Sequence, residues 1–317
     1  MKIAILGAAG FIGTNLTMAL MSDKSNDILA VDESLNYFDN CIKQSNICIR
    51  ECKFHDKTNF KVLLKKQDMV YHLISTNNQT YSNHDIGKDI VDNIMISINI
   101  LEACVINKIK KVIFISSGGT VYGDKVICPI AESAVTNPIN TYGIQKLTIE
   151  KLFYLYNHIY GLDYSIVRMS NPYGPHQRPN GKQGVITTFT YKAMRNDTLT
   201  VYGDGNVIRD YIYIEDAVDG IIKIAESCNN ERVYNLGSGT GVSVNQIIGI
   251  LEKMLEKNIH VNYIDSRSVD VPVNFLYVTK YKELFGISGF KTVEEGIRLT
   301  MEYFKSLEKA DDRYMII

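Results

Sequence analysis

The sequence predicts an α/β protein: a Rossmann doubly wound parallel sheet followed by a smaller α/β C-terminal domain. Three observations carry this. A short apolar run, KIAIL, breaks at once into a glycine turn and then an amphipathic stretch. Short apolar runs then alternate with longer segments of helical apolar spacing as far as residue 170. Beyond it the texture changes, and NPYGPHQRPNGKQG holds three of the chain's six prolines. Alternation of strand and helix implies parallel pairing through right-handed crossovers. A cluster of Pro and Gly marks a loop and a domain boundary.

The chain's 317 residues can bury a large core and form one or two domains. The expected division is 1–170, with a return near 209–237, against 171–208 plus 238–317. A composition 45% hydrophobic and 22% charged is that of an ordinary soluble protein. The formal net charge of −1 argues against nucleic acid or an anionic membrane as partner. No apolar run approaches the ~20 residues that span a bilayer. MKIAILGAAG runs straight into strand and turn, so no signal peptide is expected. The six cysteines (41, 48, 52, 104, 128 and 228) show neither CxxC nor metal-ligand spacing. They read as free thiols of a cytoplasmic protein without a metal site, with Cys48 and Cys52 as packing residues.

KIAIL at 2–6, the turn GAAGFIG at 7–13 and the helical FIGTNLTMALMS make strand, glycine turn, helix. In that context Gly7 makes the tight turn, Gly10 lets backbone approach a pyrophosphate, and Gly13 lets helix and strand pack closely. Phosphates would sit on the free amides at the positive end of the helix. Three glycines can also mark nothing more than a turn. The next strand, DILAVD, ends in Asp32 about twenty residues on, where a carboxylate accepts from a ribose 2′-hydroxyl and repels a 2′-phosphate. NAD is therefore expected over NADP, and DESLN holds no basic residue to reverse this.

NICIREC is a third strand, with His55-Asp56 after it where an adenine edge could be read. TNFKVLLKK reads as helix, DMVYHLIST at 68–76 as the fourth strand, and 90–108 as a long helix. KVIFISS is the fifth strand and LDYSIVRMS the sixth. Beyond residue 184, VITTFTYKAM is helical; LTVY and NVIRDYIYI are strands around a Gly-Asp-Gly turn, and a helix follows. RVYNLGSG and IHVNYI are further strands, separated by the helix SVNQIIGILEKMLEK. VTKYKELFG and TVEEGIRLTMEYFKSL finish as helices.

Between the fifth and sixth strands lies the stretch with the most chemistry. Tyr142 and Lys146 stand four apart in TYGIQKLTIEKLFYLYNHIYG, so a helix puts them on one face. An ammonium beside a phenol favours the phenolate and draws its pKa from ~10 toward working pH. Such a tyrosine can exchange a proton with a substrate hydroxyl. The bland alternative is a surface tyrosine that happens to precede a lysine. Of the 20 tyrosines, only this one has lysine at the fourth position after it. The preceding KVIFISSGGTVYG adds small and hydroxyl residues that can open a pocket.

GAAGFIG, Asp32, SSGGTVYG, Tyr142 with Lys146, NPYGP, GDGNVIRDYIYIED and RSVDVP together resemble the extended short-chain dehydrogenase/reductases. Within them the chain most resembles the nucleotide-sugar epimerases of the UDP-glucose 4-epimerase type, to about residue 300. The resemblance implies an NAD-binding Rossmann domain, a smaller substrate domain, and an active site between them. It implies that Tyr142 is the acid/base and that Lys146 holds the nicotinamide ribose. Gly7, Gly10, Phe11, Ile12, Gly13, Asp32, Asp56 and Asn93 would line the cofactor. Asn171, Arg209, Arg267 and Asp270 would bind the sugar nucleotide, the arginines through forks matched to phosphate oxygens. The alternative for Arg209 is an ion pair with Asp210 or Asp216. The resemblance also implies a homodimer through the helices at 90–108 and 142–160, and inversion of carbon 4 by way of a 4-keto sugar.

Two departures stand out. Relatives carry Ser or Thr at the place of Gly118, where it hydrogen-bonds the reacting hydroxyl; Gly118 and Gly119 cannot. Thr120 is expected to supply that hydroxyl, with Ser117 as the alternative. Asn274, four beyond Asp270, stands where some 4-epimerases have a bulky tyrosine, and leaves room for an N-acetylated or otherwise decorated sugar. The Gly118 departure keeps a second activity open, an NAD(P)H-dependent 4-ketoreductase of an NDP-4-keto-6-deoxyhexose. A 4,6-dehydratase is disfavoured, because SSGGTVYG lacks the Asp-Glu pair before VYG. A redox-sensing binding protein would need neither Tyr142 nor Lys146.

Overall fold

A computed structural model describes residues 1–35, 38, 44–75, 86–179, 184–266 and 271–309. The elements run β1 Lys2–Leu6, α1 Phe11–Ser22, β2 Asp27–Asp32, β3 Ile47–Glu51, α2 Phe60–Leu63, β4 Met69–His72, α3 Ile86–Ile106, β5 Lys111–Ser117, α4 Thr141–Tyr160 and β6 Tyr164–Met169. There follow β7 Asn171–Tyr173, α5 Val185–Met194, β8 Leu199–Tyr202, β9 Ile208–Tyr213, α6 Ile214–Glu226 and β10 Val233–Leu236. The chain continues through β11 Gly241–Ser243, α7 Val244–Leu255, β12 Val261–Ile264, β13 Val273–Asn274, α8 Thr279–Phe285 and α9 Val293–Lys309.

Two compact units result. The first is Met1–Asp124, Val135–Arg168 and Val218–Tyr234; the second is Lys125–Ala134, Met169–Ala217 and Asn235–Ile317. The return into the first unit is thus shorter than the expected 209–237, because β9 pairs with β7, β11 and β13 in the second unit. A short stretch around Ile130 also joins the second unit, where Ile130 exchanges backbone hydrogen bonds with Phe275 (2.9 Å) and Tyr277 (2.8 Å).

The first unit is built on a seven-stranded parallel sheet in the order β3-β2-β1-β4-β5-β6-β10. Its central strands are mostly apolar, and β4, β5 and β6 are buried along their whole length, as a sheet covered on both faces requires. Phe114 and Phe153 stack at 5.3 Å in its core with Val70, Ile100 and Ile166 around them. The strand order reverses between β1 and β4, and ligands of such sheets bind outside the carboxyl ends of the strands at that point. Those ends carry the turn after Leu6, Asp32, His72 and Ser117.

In the second unit the strands β11, β9, β13 and β7 form one small sheet and β8 with β12 another. Its core joins Tyr173, Phe189, Leu199, Leu251 and Ile297. The helix α7 opens with a full capping box: Ser243 Oγ accepts from Gln246 N (3.1 Å) while Gln246 Oε1 accepts from Ser243 N (2.7 Å). No helix of the described residues is long and apolar enough to cross a membrane.

Candidate active site

The glycine turn fits a dinucleotide in a way the protein alone does not require. Gly7 has φ +90, and a Cβ on Gly13 would lie 2.2 Å from the Gly7 carbonyl oxygen, so both positions are fixed by packing. Gly10 is different: a Cβ there would meet nothing nearer than 3.4 Å. Gly10 also caps α1 without a side chain to occupy the first-turn amides of Phe11 and Ile12. An open cradle of amides at the positive end of a helix is what a pyrophosphate needs. Asp32 closes the turn from β2, its Oδ2 accepting from Ala9 N at 2.7 Å and its Oδ1 from Glu33 N at 2.7 Å. Burial pushes its carboxyl above the usual range, against the pull of those amides. Asn93 is buried on α3, whereas Asp56 is exposed after β3.

Tyr142 and Lys146 do share one face of α4, and the helix starts just before them. Asn140 caps it, its Oδ1 accepting from Gly143 N at 2.8 Å. Tyr142 is therefore in the first turn, where the helix dipole favours negative charge. Lys146 is buried; its Nζ donates to the Ile115 carbonyl at 2.9 Å and lies 4.8 Å from the centre of the Phe114 ring. It is 5.6 Å from the centre of the Tyr142 ring.

The expected lowering of the tyrosine pKa is not found. The half-buried Tyr142 has its phenol pushed up to about 12 by burial. Lys146 is itself drawn down to about 8 by burial, with the Glu150 carboxylate acting in the other direction. An ammonium committed to a backbone carbonyl does not stabilise the phenolate, so in the ligand-free protein the phenol keeps its proton.

The loop after β5 packs on the start of α4. A Cβ on Gly143 would stand 2.8 Å from the Thr120 carbonyl oxygen and 2.8 Å from Pro138 Cβ. Thr120 is 6% exposed, and its Oγ1 finds no hydrogen-bond partner among the described residues. A buried hydroxyl without a partner is costly unless something else meets it. Ser117, the alternative, is also buried, at the end of β5.

Beneath this face lie groups the sequence reading passed over. Glu150, one turn beyond Lys146, accepts from Ser116 Oγ at 2.5 Å and from Arg168 Nη2 at 2.6 Å. Arg168 on β6 also donates from Nη1 to Tyr122 OH at 3.0 Å. Burial opposes the charge of Arg168, but the hydrogen bonds and charge of Glu150 outweigh it and hold the guanidinium protonated. His72, at the end of β4, is 1% exposed, with Nε2 2.9 Å from Ser97 Oγ. Ser97 donates to the Asn93 carbonyl at 2.8 Å, so it accepts from His72, whose Nδ1 is then an acceptor without a partner among the described residues. Burial, and after it the charge of Lys146, draws His72 down to about 3, and it is neutral. The 142, 146, 150 spacing was the signal available for Glu150; nothing in DMVYHLIST distinguished His72 from a core histidine.

In the second unit, Arg209 Nη1 donates to the carbonyls of Ile208 (2.9 Å) and Val271 (2.5 Å). The two carboxylates weighed as its partners are engaged elsewhere. Asp210 is fully buried and accepts from Ser238 N, Ser238 Oγ, Gly239 N and Leu276 N at 2.8–3.2 Å. Asp216 pairs with Lys291 Nζ at 3.0 Å. Asn171 Nδ2 donates to the Asp210 carbonyl at 2.8 Å. Asn274 stands beside Arg209 in the pairing of β13 with β9; it is 2% exposed and its Nδ2 has no partner among the described residues. Arg267 and Asp270 lie outside the described residues.

Comparison with known proteins gives a consistent result. Residues 3–237 match the model of the NAD dependent epimerase/dehydratase family. The crystal structure of the UDP-glucose 4-epimerase of Thermotoga maritima with UDP-glucose superposes with a TM-score of 0.91 at 32% identity, covering 97% of this chain and 100% of that one. The UDP-glucuronic acid 4-epimerase of Bacillus cereus, in complex with UDP-glucuronic acid and NAD, gives 0.88 at 28% identity over 97% and 100%. The dTDP-4-dehydro-6-deoxyglucose reductase of Escherichia coli is 31% identical over 83% of this chain and 84% of its own length.

Proposed function

The chain belongs to the NAD-dependent epimerase/dehydratase family, and from that premise we propose that it inverts carbon 4 of a hexose carried on a nucleoside diphosphate. The observation that carries this reading is the catalytic face itself. Tyr142 and Lys146 project from one side of α4, and the buried hydroxyl of Thr120, without a partner among the described residues, lies on the loop packed against the start of that helix.

Gly7, Gly10 and Gly13, with the first-turn amides of Phe11 and Ile12, hold the pyrophosphate of NAD. Asp32 takes the adenine ribose, Asp56 lies toward the adenine, and Asn93 lies toward the nicotinamide side. NAD, when bound, would supply the acceptor for the hydride from carbon 4 and would bring positive charge into the site. Lys146 grips ribose hydroxyls, which gives its ammonium acceptors beyond the Ile115 carbonyl. Tyr142, lifted to about 12 in the ligand-free protein, acts as a base only once positive charge is gathered around it. The first-turn amides of α4 and Lys146 supply part of that charge. Tyr142, its own proton released to solvent, then takes the proton of the 4-hydroxyl and later returns it, and Thr120 orients that oxygen in place of the hydroxyl missing at Gly118.

In the second unit, Arg209 grips the diphosphate, with Arg267 as the second fork and Asp270 on the ribose of the nucleoside; Asn171 binds the sugar nucleotide. A firm hold on the diphosphate lets a 4-keto sugar turn over without leaving. Asn274, whose Nδ2 has no partner among the described residues, leaves room for a substituted hexose and offers it a donor. The alternative is the 4-ketoreductase, favoured by the two glycines at 118 and 119.

A panel of UDP-hexoses, UDP-N-acetylhexosamines and UDP-hexuronates, incubated with the protein and catalytic NAD, decides between the readings by proton NMR. Relaxation of any one to a mixture of 4-epimers, without net reduction of cofactor, is expected. If no UDP-sugar changes and a dTDP-4-keto-6-deoxyhexose consumes NAD(P)H stoichiometrically, the enzyme is the reductase.

A further inference from the structure

The catalytic face of α4 extends one turn beyond Lys146, to a carboxylate that touches neither end of the proposed reaction. Residues 142, 146 and 150 are successive fourth positions on one helix face. Glu150 is 4% exposed, and Arg168, its partner on β6, is 5% exposed. Three hydrogen bonds join them: Arg168 Nε to Glu150 Oε1 at 3.1 Å and to Oε2 at 3.2 Å, and Nη2 to Oε2 at 2.6 Å.

What the pair holds is more informative than its burial. Lys146 binds the carbonyl of Ile115, and Glu150 binds the hydroxyl of the next residue, Ser116. The helix is thereby stitched to the end of β5 at two consecutive residues. The loop that leaves β5 after Ser117 carries Thr120 and reaches Tyr122, whose hydroxyl accepts from Arg168 at 3.0 Å while its ring lies 4.9 Å from the guanidinium carbon. One ion pair therefore anchors both ends of the loop that presents Thr120. Glu150 is also the carboxylate whose charge acts on Lys146.

We infer that Glu150 and Arg168 are positioning residues for the reaction: together they fix the Ser116–Tyr122 stretch against the Tyr142–Lys146 face. The inference rests on the roles given above to Tyr142, Lys146 and Thr120. A buried ion pair is a poor device for stability alone, because apolar residues of similar volume serve as well or better. Its three-way connection to strand, loop and helix is what apolar residues cannot copy.

The charged and titratable groups around Lys146 are few. Tyr142 and Glu150 lie on its own helix, His72 faces it from β4, and Arg168 stands behind Glu150 on β6. On β5 it meets only the Phe114 ring and the Ile115 carbonyl. Glu150 is thus the one anion acting on it among the described residues.

The test compares Glu150→Gln, which keeps an acceptor for Ser116, with the double variant Glu150→Gln/Arg168→Met, which removes the uncompensated guanidinium as well. Three readings are taken on each: thermal midpoint, titration of Lys146 Nζ by NMR on lysine-labelled protein, and the kcat–pH profile on whichever UDP-sugar reacts. Glu150→Gln is expected to lose stability, whereas the double variant regains most of it. Both should show Lys146 titrating lower, by about one pH unit in Glu150→Gln and less in the double. Both should lose kcat about tenfold or more, with KM within roughly threefold of wild type. A double variant with wild-type stability, wild-type lysine titration and wild-type kcat would show that the pair is only structural and overturn the inference. The lysine titration needs no substrate, so it separates failure of this inference from failure of the proposed reaction. If no sugar reacts but the lysine shifts as stated, only the reaction is wrong.

Discussion

Replacing Gly143 by alanine adds a single methyl group at the contact between α4 and the loop after β5. The new carbon would stand 2.8 Å from the Thr120 carbonyl oxygen and 2.8 Å from Pro138 Cβ, where ordinary contact begins near 3.4 Å. One of the neighbours is backbone, so helix and loop must separate by about half an ångström. Overpacking of this kind costs about 1–3 kcal/mol. Alanine in a helix recovers about 1 kcal/mol relative to glycine, so the net loss of stability is small and the thermal midpoint moves by only a few degrees. Activity responds more steeply, because the displaced backbone carries Thr120 on one side and adjoins Tyr142 on the other. A misplacement of about 1 Å can cost about a hundredfold, so a loss of about tenfold in kcat is expected here. Gly249 in α7 is the control: a Cβ there meets nothing within 4 Å, and Gly249→Ala should stabilise by about 1 kcal/mol with kcat unchanged. The assays are differential scanning calorimetry and the NMR time course on the reacting sugar. Wild-type kcat in Gly143→Ala would refute the claim that this contact sets the geometry of the site.

Two further predictions concern stability and assembly. His72 is drawn down to about 3 in the folded protein from an ordinary 6.5, so below pH 6.5 the unfolded chain binds the proton first. Its contribution is complete above pH 6.5 and is lost as pH falls toward 3, at about 1.4 kcal/mol per pH unit. His72→Gln, followed by urea titrations from pH 7 to 4, should flatten that slope, and an unchanged slope would assign the acid sensitivity elsewhere. Val91, Met95 and Ile106 on α3, with Ile144, Leu155 and Ile159 on α4, are exposed. We expect them to be covered in a two-fold homodimer, which light scattering at micromolar concentration should detect; a monomer there would contradict it.

The parallel sheet was legible because its strands are short apolar runs bounded by turn residues, and α4 because Asn140, the apolar spacing and Gly161 mark its start, body and end. Strands β7, β11 and β13 were not, since two or three residues carry no period of their own and exist only by pairing with β9. For the same reason the strand Ile208–Tyr213 was expected in the first unit. That Tyr142 and Lys146 share one helix face was readable from their spacing. The protonation of Tyr142 was not, because it depends on where Lys146 Nζ goes, and a carbonyl two positions before the end of β5 is invisible in one dimension. Glu150 was within reach, as the next residue on the same face; its partner Arg168 is joined to it only through the sheet.

The central claim is that Tyr142 moves the proton, and Tyr142→Phe tests it with the loss of one hydroxyl. The variant should fold, bind NAD as wild type does by calorimetry, and lose turnover by about two orders of magnitude or more on the sugar that the wild-type protein epimerises. Thr120→Ala should lose less, since it removes only an orienting hydrogen bond. Tyr142→Phe with kcat within about threefold of wild type, at unchanged NAD binding, would mean that another group carries the proton and that the account of this site is wrong.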